Sequence, residues 1–471
     1  MLKTKPWAHQ TAATDYMLAQ ARSDAGAHPG AGVFYEMGCG KTLATLAALD
    51  AIGARRVLIL APTVVCDVWP KQVAEHWDTD LQCVALNKGS VAKRKDALSA
   101  LWRDTNGAFV AATNYEASCL EPFKSALPKA QWDAVILDEG HRGKGPTSNI
   151  SKWLREKLYP VATRTFNLTG TPLPNGYVDA YGMYASFAPA TFDVRNWTHF
   201  RNKYAVRGNP RIPQQITGWR DKDELEQRMT RHAISCRAED VLSLPPMLPQ
   251  WVWCDLDPAT RKAYVELERE MIAQVESGEI IASNALVKAL RLQQLAGGVA
   301  VTGEGDESQA HRVSHEKEHA LVELIDGMGR SEPVVCFARF TADLDSIIAA
   351  AERHGRPFFE GSGRVKQVQE WAESAARGDG PVMAAQIQAG GLGINEFVAA
   401  RFAIFVSTGY NSAEYRQAWR RLVRPGQKRP TVIYHLGAKD TIDADIAAAL
   451  KAKGDLEAAI LRRLNVNRIH A

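Results

Sequence analysis

The chain has 471 residues, 46% of them apolar and 23% charged, with a formal net charge of +4. At roughly 150 residues per domain this length suggests about three units, and the composition excludes a disordered or fibrous chain. The mild positive charge permits a polyanionic partner without demanding one, and no run of about 18 apolar residues offers a membrane span.

The N-terminal MLKTKPWAHQ lacks the apolar core and cleavage signal of a secretion peptide. Next comes a strand-like lead, Ala31 to Tyr35, then EMGCGKT (Glu36 to Thr42), then a helix-like stretch from Leu43 to Ile52. Gly38 and Gly40 let backbone N–H groups converge on one anion, and the helix N-terminus adds partial positive charge. Lys41 suits the β/γ-phosphates and the Thr42 hydroxyl suits Mg²⁺. The strict phosphate-loop pattern has glycine where this chain has Tyr35, so the match is to GxGK[ST] alone. About a hundred residues later the apolar run Ala134 to Leu137 ends in DEGH, Asp138 to His141. Adjacent carboxylates at a buried strand end are costly unless they meet a cation or a moving proton. Asp138 therefore pairs with Thr42 as a Mg²⁺ ligand, and Glu139 is the candidate to activate water. Together the two motifs point to nucleotide hydrolysis.

Alternating apolar and helical runs over 1–188 imply a doubly wound parallel α/β sheet. Residues 189–300 read as a helical insertion, with periodicity in Asp221–Arg237, Pro258–Ser277 and Ala282–Gln294. Gly297 to His319 reads as an exposed connection, and strands return over 301–471 at 333–337, 382–385, 401–406 and 431–435. The fold class is thus α/β, with two such lobes separated by the insertion. Residues 195–220 hold six Lys/Arg (Arg195, Arg201, Lys203, Arg207, Arg211, Arg220) and no acid, interleaved with Trp197, Phe200, Tyr204 and Trp219. Such a segment suits sequence-independent nucleic-acid binding, and the aromatics suit local core equally well. Lys88 and Lys93-Arg94-Lys95 read as a solvated loop. His311, His315 and His319 recur at helical spacing, but their glutamate-rich context argues against zinc. AGGLGIN, Ala389 to Asn395, allows close backbone approach through Gly391. In QAWRRLVRPGQ, the spacing i, i+4, i+7 predicts one helix face for Gln417, Arg421 and Arg424, a place for guanidinium groups acting on a γ-phosphate. The seven cysteines lack a CxxC pair, which fits a reducing, cytoplasmic or nucleoid-associated setting.

In order, these segments resemble the motifs of superfamily 2 helicase-type motors of the Swi/Snf branch. EMGCGKT resembles DEMGLGKT; DEGHRGKG resembles DEAHRIKN; LTGTP (Leu168 to Pro172), CFARF, AGGLGIN and QAWRRLVRPGQ resemble later motifs, the last with Arg420 where glycine is usual. LSLPPM (Leu242 to Met247), DLDPATRKAYVEL and RLQQLAGG resemble regions specific to the Swi/Snf branch. The resemblance implies two RecA-like lobes that sandwich ATP. Gln10 would read adenine, and His141, Thr169, Gly170 and Thr171 would couple hydrolysis to movement. APTVVCDVWPKQ, through Thr63, and TNYE, through Asn114, would touch the nucleic acid.

The function expected is an ATP-driven double-stranded DNA translocase. A strand-separating helicase, with 195–220 as its wedge, is the first rival. A nucleotide-gated DNA-binding scaffold is a rival of another class, and the arginine pair on a second lobe disfavours a phosphate-loop kinase or ring ATPase.

Overall fold

The computed structural model describes residues 1–21, 30–208, 216–276, 282–302, 309–388 and 396–465. The chain divides into two compact units, Met1–Leu242 with the chain from Lys453, and Ser243–Ala452.

The first unit is built on a 7-stranded sheet. Its strands are β1 (Gly30–Tyr35), β2 (Arg56–Ala61), β3 (Gln82–Ala85), β4 (Phe109–Asn114), β5 (Ala134–Asp138), β6 (Thr165–Leu168) and, after the hairpin β7 (Ala205–Arg207) and β8 (Ile216–Trp219), β9 (Ala233–Cys236). The order β3-β4-β2-β5-β6-β1-β9 is parallel throughout. Strands such as GAGVFY and RVLILA are apolar along their whole length because helices cover both faces of a parallel sheet. In this topology the segments after β1, β2, β4, β5 and β6 all emerge at one edge, the carboxyl edge where ligands of open α/β sheets bind. Helix α1 (Ala8–Ala21) packs on α2 (Lys41–Ala51), which starts directly after the phosphate loop.

The second unit has a 6-stranded sheet. It comprises β10 (Met247–Cys254) and, after the hairpin β11 (Val299–Thr302) and β12 (Gln309–Arg312), β13 (Val334–Ala338), β14 (Phe358–Gly361), β15 (Val382–Gln386), β16 (Phe402–Phe405) and β17 (Thr431–Ala438). The order β10-β17-β16-β13-β15-β14 is again all parallel. The expected strands are present in both halves, and the α/β class holds.

Residues 189–300 do not form one helical insertion. The helix Lys222–Thr230 stops well short of Arg237, and Ala233–Cys236 completes the first sheet beside β1. The second unit begins at Ser243, and β10 is the edge strand of its sheet, with Pro249 tolerated there because an edge strand leaves backbone donors unused. Of the three periodic runs, Pro258–Glu276 and Ala282–Ala296 are helical along their described lengths. The connection from Gly297 contains the β11–β12 hairpin, so His311 lies on a strand, His315 immediately precedes the helix Glu316–Asp326 and His319 lies within that helix. His315 pairs with Glu318 at 3.0 Å.

Candidate active site

The phosphate loop is shaped by glycines that no other residue replaces cheaply. Gly38 and Gly40 have φ of 86° and 75°, in the left-handed region. A Cβ on Gly40 would lie 1.9 Å from the Gln10 amide nitrogen, so Gln10 packs directly on the loop. Its Oε1 accepts from the Trp7 N–H at 2.8 Å and its Nε2 donates to the Cys39 carbonyl at 3.4 Å. The same carbonyl accepts from His9 Nε2 at 3.0 Å, which makes that nitrogen the protonated one. Lys41 Nζ donates to the Tyr35 carbonyl at 2.8 Å. Glu36, nearly buried, accepts from the Ala238 N–H at 2.9 Å, tying the loop to the chain just after β9.

DEGH ends β5 at the same sheet edge. The Asp138 carboxylate accepts from Trp69 Nε1 at 2.9 Å, and the Asp138 carbonyl accepts from the buried Tyr115 hydroxyl at 2.9 Å. Burial and the adjacent Glu139 charge push the Asp138 carboxyl up to about 6, against the pull of Lys41. Glu139 has φ 50° and ψ 47°, a left-handed conformation that costs a non-glycine residue on the order of 1 kcal/mol or more. That turn aims its carboxylate at His141 Nδ1, 3.3 Å away, and at the Thr169 hydroxyl, 3.4 Å away. Burial alone would raise the Glu139 carboxyl, yet His141, Lys41 and Thr169 hold it below the usual glutamate range. The two neighbouring carboxyls are therefore driven apart: one holds its proton more tightly, the other stays ionised.

The candidate couplers gather here. His141 Nδ1 lies 3.0 Å from the Thr169 hydroxyl and 3.4 Å from that of Thr171, and the Thr171 N–H donates to Thr169 Oγ1 at 3.1 Å. A Cβ on Gly170 would lie 3.3 Å from the Tyr35 carbonyl, so this turn touches the phosphate loop. Lys41, Asp138, Glu139, His141, Thr169, Gly170 and Thr171 thus form one constellation. Lys41 acts on both carboxyls, and Thr42 follows it at the start of α2. Oxygen donors from Asp138 and Thr42, with a carboxyl whose ionisation is disfavoured until a cation arrives, fit Mg²⁺ chemically. Trp69 and Tyr115, which hold Asp138, lie in APTVVCDVWPKQ and TNYE, motifs read for nucleic-acid contact; their hold on Asp138 becomes visible only in three dimensions.

A model of the SNF2-related domain family matches residues 9–297, more than half of the chain. The chain belongs to the SNF2-related domain family. It is a Swi/Snf-like member of the superfamily 2 helicases and translocases. It is 26% identical over 436 residues to the chromodomain-helicase-DNA-binding protein 1-like of Danio rerio, covering 89% of this chain and 40% of that one. Identity to putative protein p41 of Acyrthosiphon pisum secondary endosymbiont phage 1 is 23%, over 92% of this chain and 94% of that protein. For the putative ATP-dependent helicase/translocase YwqA of Bacillus subtilis it is 24%, over 91% and 46%. The chain therefore spans under half the length of the Danio rerio and Bacillus relatives and nearly all of the phage one. Among solved structures, the Sulfolobus solfataricus SWI2/SNF2 ATPase core in complex with dsDNA aligns over 98% of this chain and 93% of that one, with 19% identity and a TM-score of 0.45.

Other expected SNF2 site residues fall elsewhere. Thr63 is exposed at the start of a short helix after β2. Asn114, at the end of β4, is buried; its Oδ1 accepts from Arg94 at 2.7 Å and its Nδ2 donates to Glu116 at 2.9 Å. Arg94 is therefore part of the fold and not of a solvated loop. It also donates to the Asn87 carbonyl, because it lies on the first turn of the helix Val91–Asp104 beside β4. In the basic segment, Phe200 and Tyr204 are fully buried and Trp197 and Trp219 pack against the same cluster, so the aromatics form core. Lys203 pairs with Glu224 at 3.1 Å and Arg207 with Asn202, while Arg195 and Arg207 are exposed and Arg201 is half-buried. Arg211 and the AGGLGIN stretch with Gly391 lie outside the described residues.

Gln417, Arg421 and Arg424 do not share a helix face. The helix Ser412–Trp419 ends before both arginines, and the chain tightens into a turn in which the Arg421 N–H donates to Ala418 and the Leu422 N–H to Trp419. Pro425 disfavours helical backbone at Arg424, and Gly426 follows with φ 105°.

Proposed function

We propose that this chain hydrolyses ATP and uses the energy to move along DNA, most specifically as a double-stranded DNA translocase. The observation that carries the ATPase reading is the split pair Asp138–Glu139 beside Lys41. Glu139, kept ionised by His141 and Thr169, is assigned the proton of the attacking water. Lys41 and the N–H groups around Gly38 and Gly40 are assigned the phosphates of ATP, and Gln10, already against the loop, the adenine. Thr42 and Asp138 would hold Mg²⁺, which supplies charge neutralisation on the phosphates. Arg421, Arg424 and Gln417 are proposed to answer the charge that develops on the γ-phosphate, presented from a turn. The linked hydroxyls and imidazole of Thr169, Thr171 and His141 tie the Glu139 carboxylate to the segment after β6, which supports their role as couplers.

DNA as the track is supported by the Danio rerio relative, named a helicase and DNA-binding protein, and by exposed Arg195, Arg207 and Thr63. Translocation over unwinding is supported by the burial of Phe200 and Tyr204, which cannot serve as a separating wedge while they fill the core.

Steady-state ATP hydrolysis tests the reading, measured without polymer and with duplex DNA, single-stranded DNA and RNA. Strong stimulation by blunt duplex, with displacement of a triplex-forming strand, is the expected result. Stimulation by forks or single strands alone would favour the helicase, and hydrolysis unaffected by any polymer would favour the scaffold.

A further inference from the structure

The box reads DEGH, whereas the motif it resembles has alanine at the third position, and the structure gives a reason. A Cβ built on Gly140 would lie 2.2 Å from Oδ1 of Asn167, 2.6 Å from its Cγ and 2.7 Å from its Nδ2. The whole amide of Asn167 lies across the open face of Gly140. Asn167 sits on β6 opposite Leu137 of β5 and is fully buried. Its Nδ2 donates to Ser186 Oγ at 3.4 Å, and its Oδ1 has no hydrogen-bond partner among the described residues. The amide is held from behind by Met183 and Ser186, so it cannot swing away freely. Nor can the box retreat. The Lys144 carbonyl lies 2.0 Å from where a Cβ on Gly182 would be, so the segment after Gly140 is already pressed onto the helix Ala180–Ala185.

We propose that Asn167 is a positioning residue for Glu139, acting through an interlocked pair with Gly140 that sets the spacing between the box and the Thr169 turn. The inference rests on the ATPase reading above. Glu139 immediately precedes Gly140, and Thr169 lies two residues beyond Asn167. The Asn167–Gly140 contact joins these two stretches beneath the His141–Thr169 and Glu139–Thr169 hydrogen bonds. The Glu139–Thr169 hydrogen bond is already long at 3.4 Å, so a displacement of a few tenths of an ångström removes it. Residue 140 and residue 167 must therefore change together: alanine in the box requires a smaller side chain on β6.

The test is a set of variants, Gly140→Ala, Asn167→Ser and the double, assayed for steady-state ATP hydrolysis with melting curves as a folding control. Gly140→Ala is expected to lower kcat by roughly 10- to 100-fold, as misplacements near 1 Å do, with little change in KM for ATP. The double variant is expected to recover most of the lost rate. If Gly140→Ala fails to fold, Asn167→Ser carries the test alone, with kcat expected to fall while KM for ATP holds. A Gly140→Ala enzyme with wild-type kcat, a double variant no better than the single, or a folded Asn167→Ser enzyme with wild-type kcat would each overturn the proposal. A wild-type chain that does not hydrolyse ATP would instead overturn the reading beneath it.

Discussion

Replacing Asp138 by asparagine should stabilise the metal-free protein, and the gain should depend on pH in a defined way. Its carboxyl is raised from 3.8 to about 6 by burial and by the neighbouring Glu139 charge. A carboxyl raised on folding contributes stability that is present below the unfolded value, about 4, and lost as pH rises through about 6. The shift of about two units corresponds to about 3 kcal/mol at pH 7 and above. Asparagine keeps an oxygen for the Trp69 indole but carries no charge, so Asp138→Asn escapes that loss. For a unit of this size, a stability change of about 3 kcal/mol moves Tm by roughly 6–12 °C. The assay is a series of thermal melts of wild type and Asp138→Asn in chelator from pH 4.5 to 8. The gap should already be about a third of its full size at pH 4.5, widen steeply to pH 6 and reach a plateau above 7. Millimolar Mg²⁺ should narrow the gap by stabilising the wild type alone if, as proposed, an ionised Asp138 is its ligand. A gap independent of pH, or a variant less stable than wild type at pH 8, would refute the reasoning.

Glu139→Gln should leave ATP binding intact and lower turnover by roughly 10²–10⁴-fold, the usual contribution of a general base, as read by equilibrium nucleotide binding beside steady-state hydrolysis. Phe200→Ala should destabilise the first unit by roughly 3–5 kcal/mol in denaturant titrations, as truncation of a core aromatic does. Its folded form should bind DNA like wild type; a selective loss of DNA affinity without loss of stability would return the aromatics to the interface. Arg207→Ala should weaken DNA binding evenly across sequences and reduce the salt slope by about 1, measured by binding titrations at several salt concentrations.

The amino-acid sequence made the first lobe's chemistry legible because phosphate chemistry constrains local pattern tightly. A loop that aims N–H groups at one anion needs Gly38 and Gly40 at fixed offsets from Lys41, and paired acids at the end of an apolar run have few other uses. Periodicity alone misleads in physically specific ways. Asp221–Arg237 reads as one helix, yet Ala233–Cys236 forms a strand, because the empty place beside β1 rewards four buried residues more than another helical turn would. Gln417, Arg421 and Arg424 are correctly spaced for a helix face, but Pro425 lies one residue beyond the last of them and the helix has already ended at Trp419. The basic aromatic segment divides by residue type: Phe200 and Tyr204 enter the core while Arg195 and Arg207 remain on the surface, a split that composition cannot resolve.

The contacts that sequence pattern misses are those that cross the sheet. Trp69 reaches Asp138, Tyr115 reaches the carbonyl of the same residue, and Asn167 reaches Gly140, each from a different strand or the helical segments that follow it. None of these partners is a fixed number of residues from the group it holds. In a parallel sheet, neighbouring strands are joined by long crossovers, so what sits beside a motif is decided by strand order and not by proximity in the chain. The DEGH box illustrates the consequence. Its glycine looks like a conservative departure when the box is read alone, and becomes a requirement once β6 is placed beside β5 with asparagine at the facing position. A motif residue and its support across the sheet therefore form the unit on which substitution acts, and a box repaired toward its usual spelling without its partner is expected to lose activity.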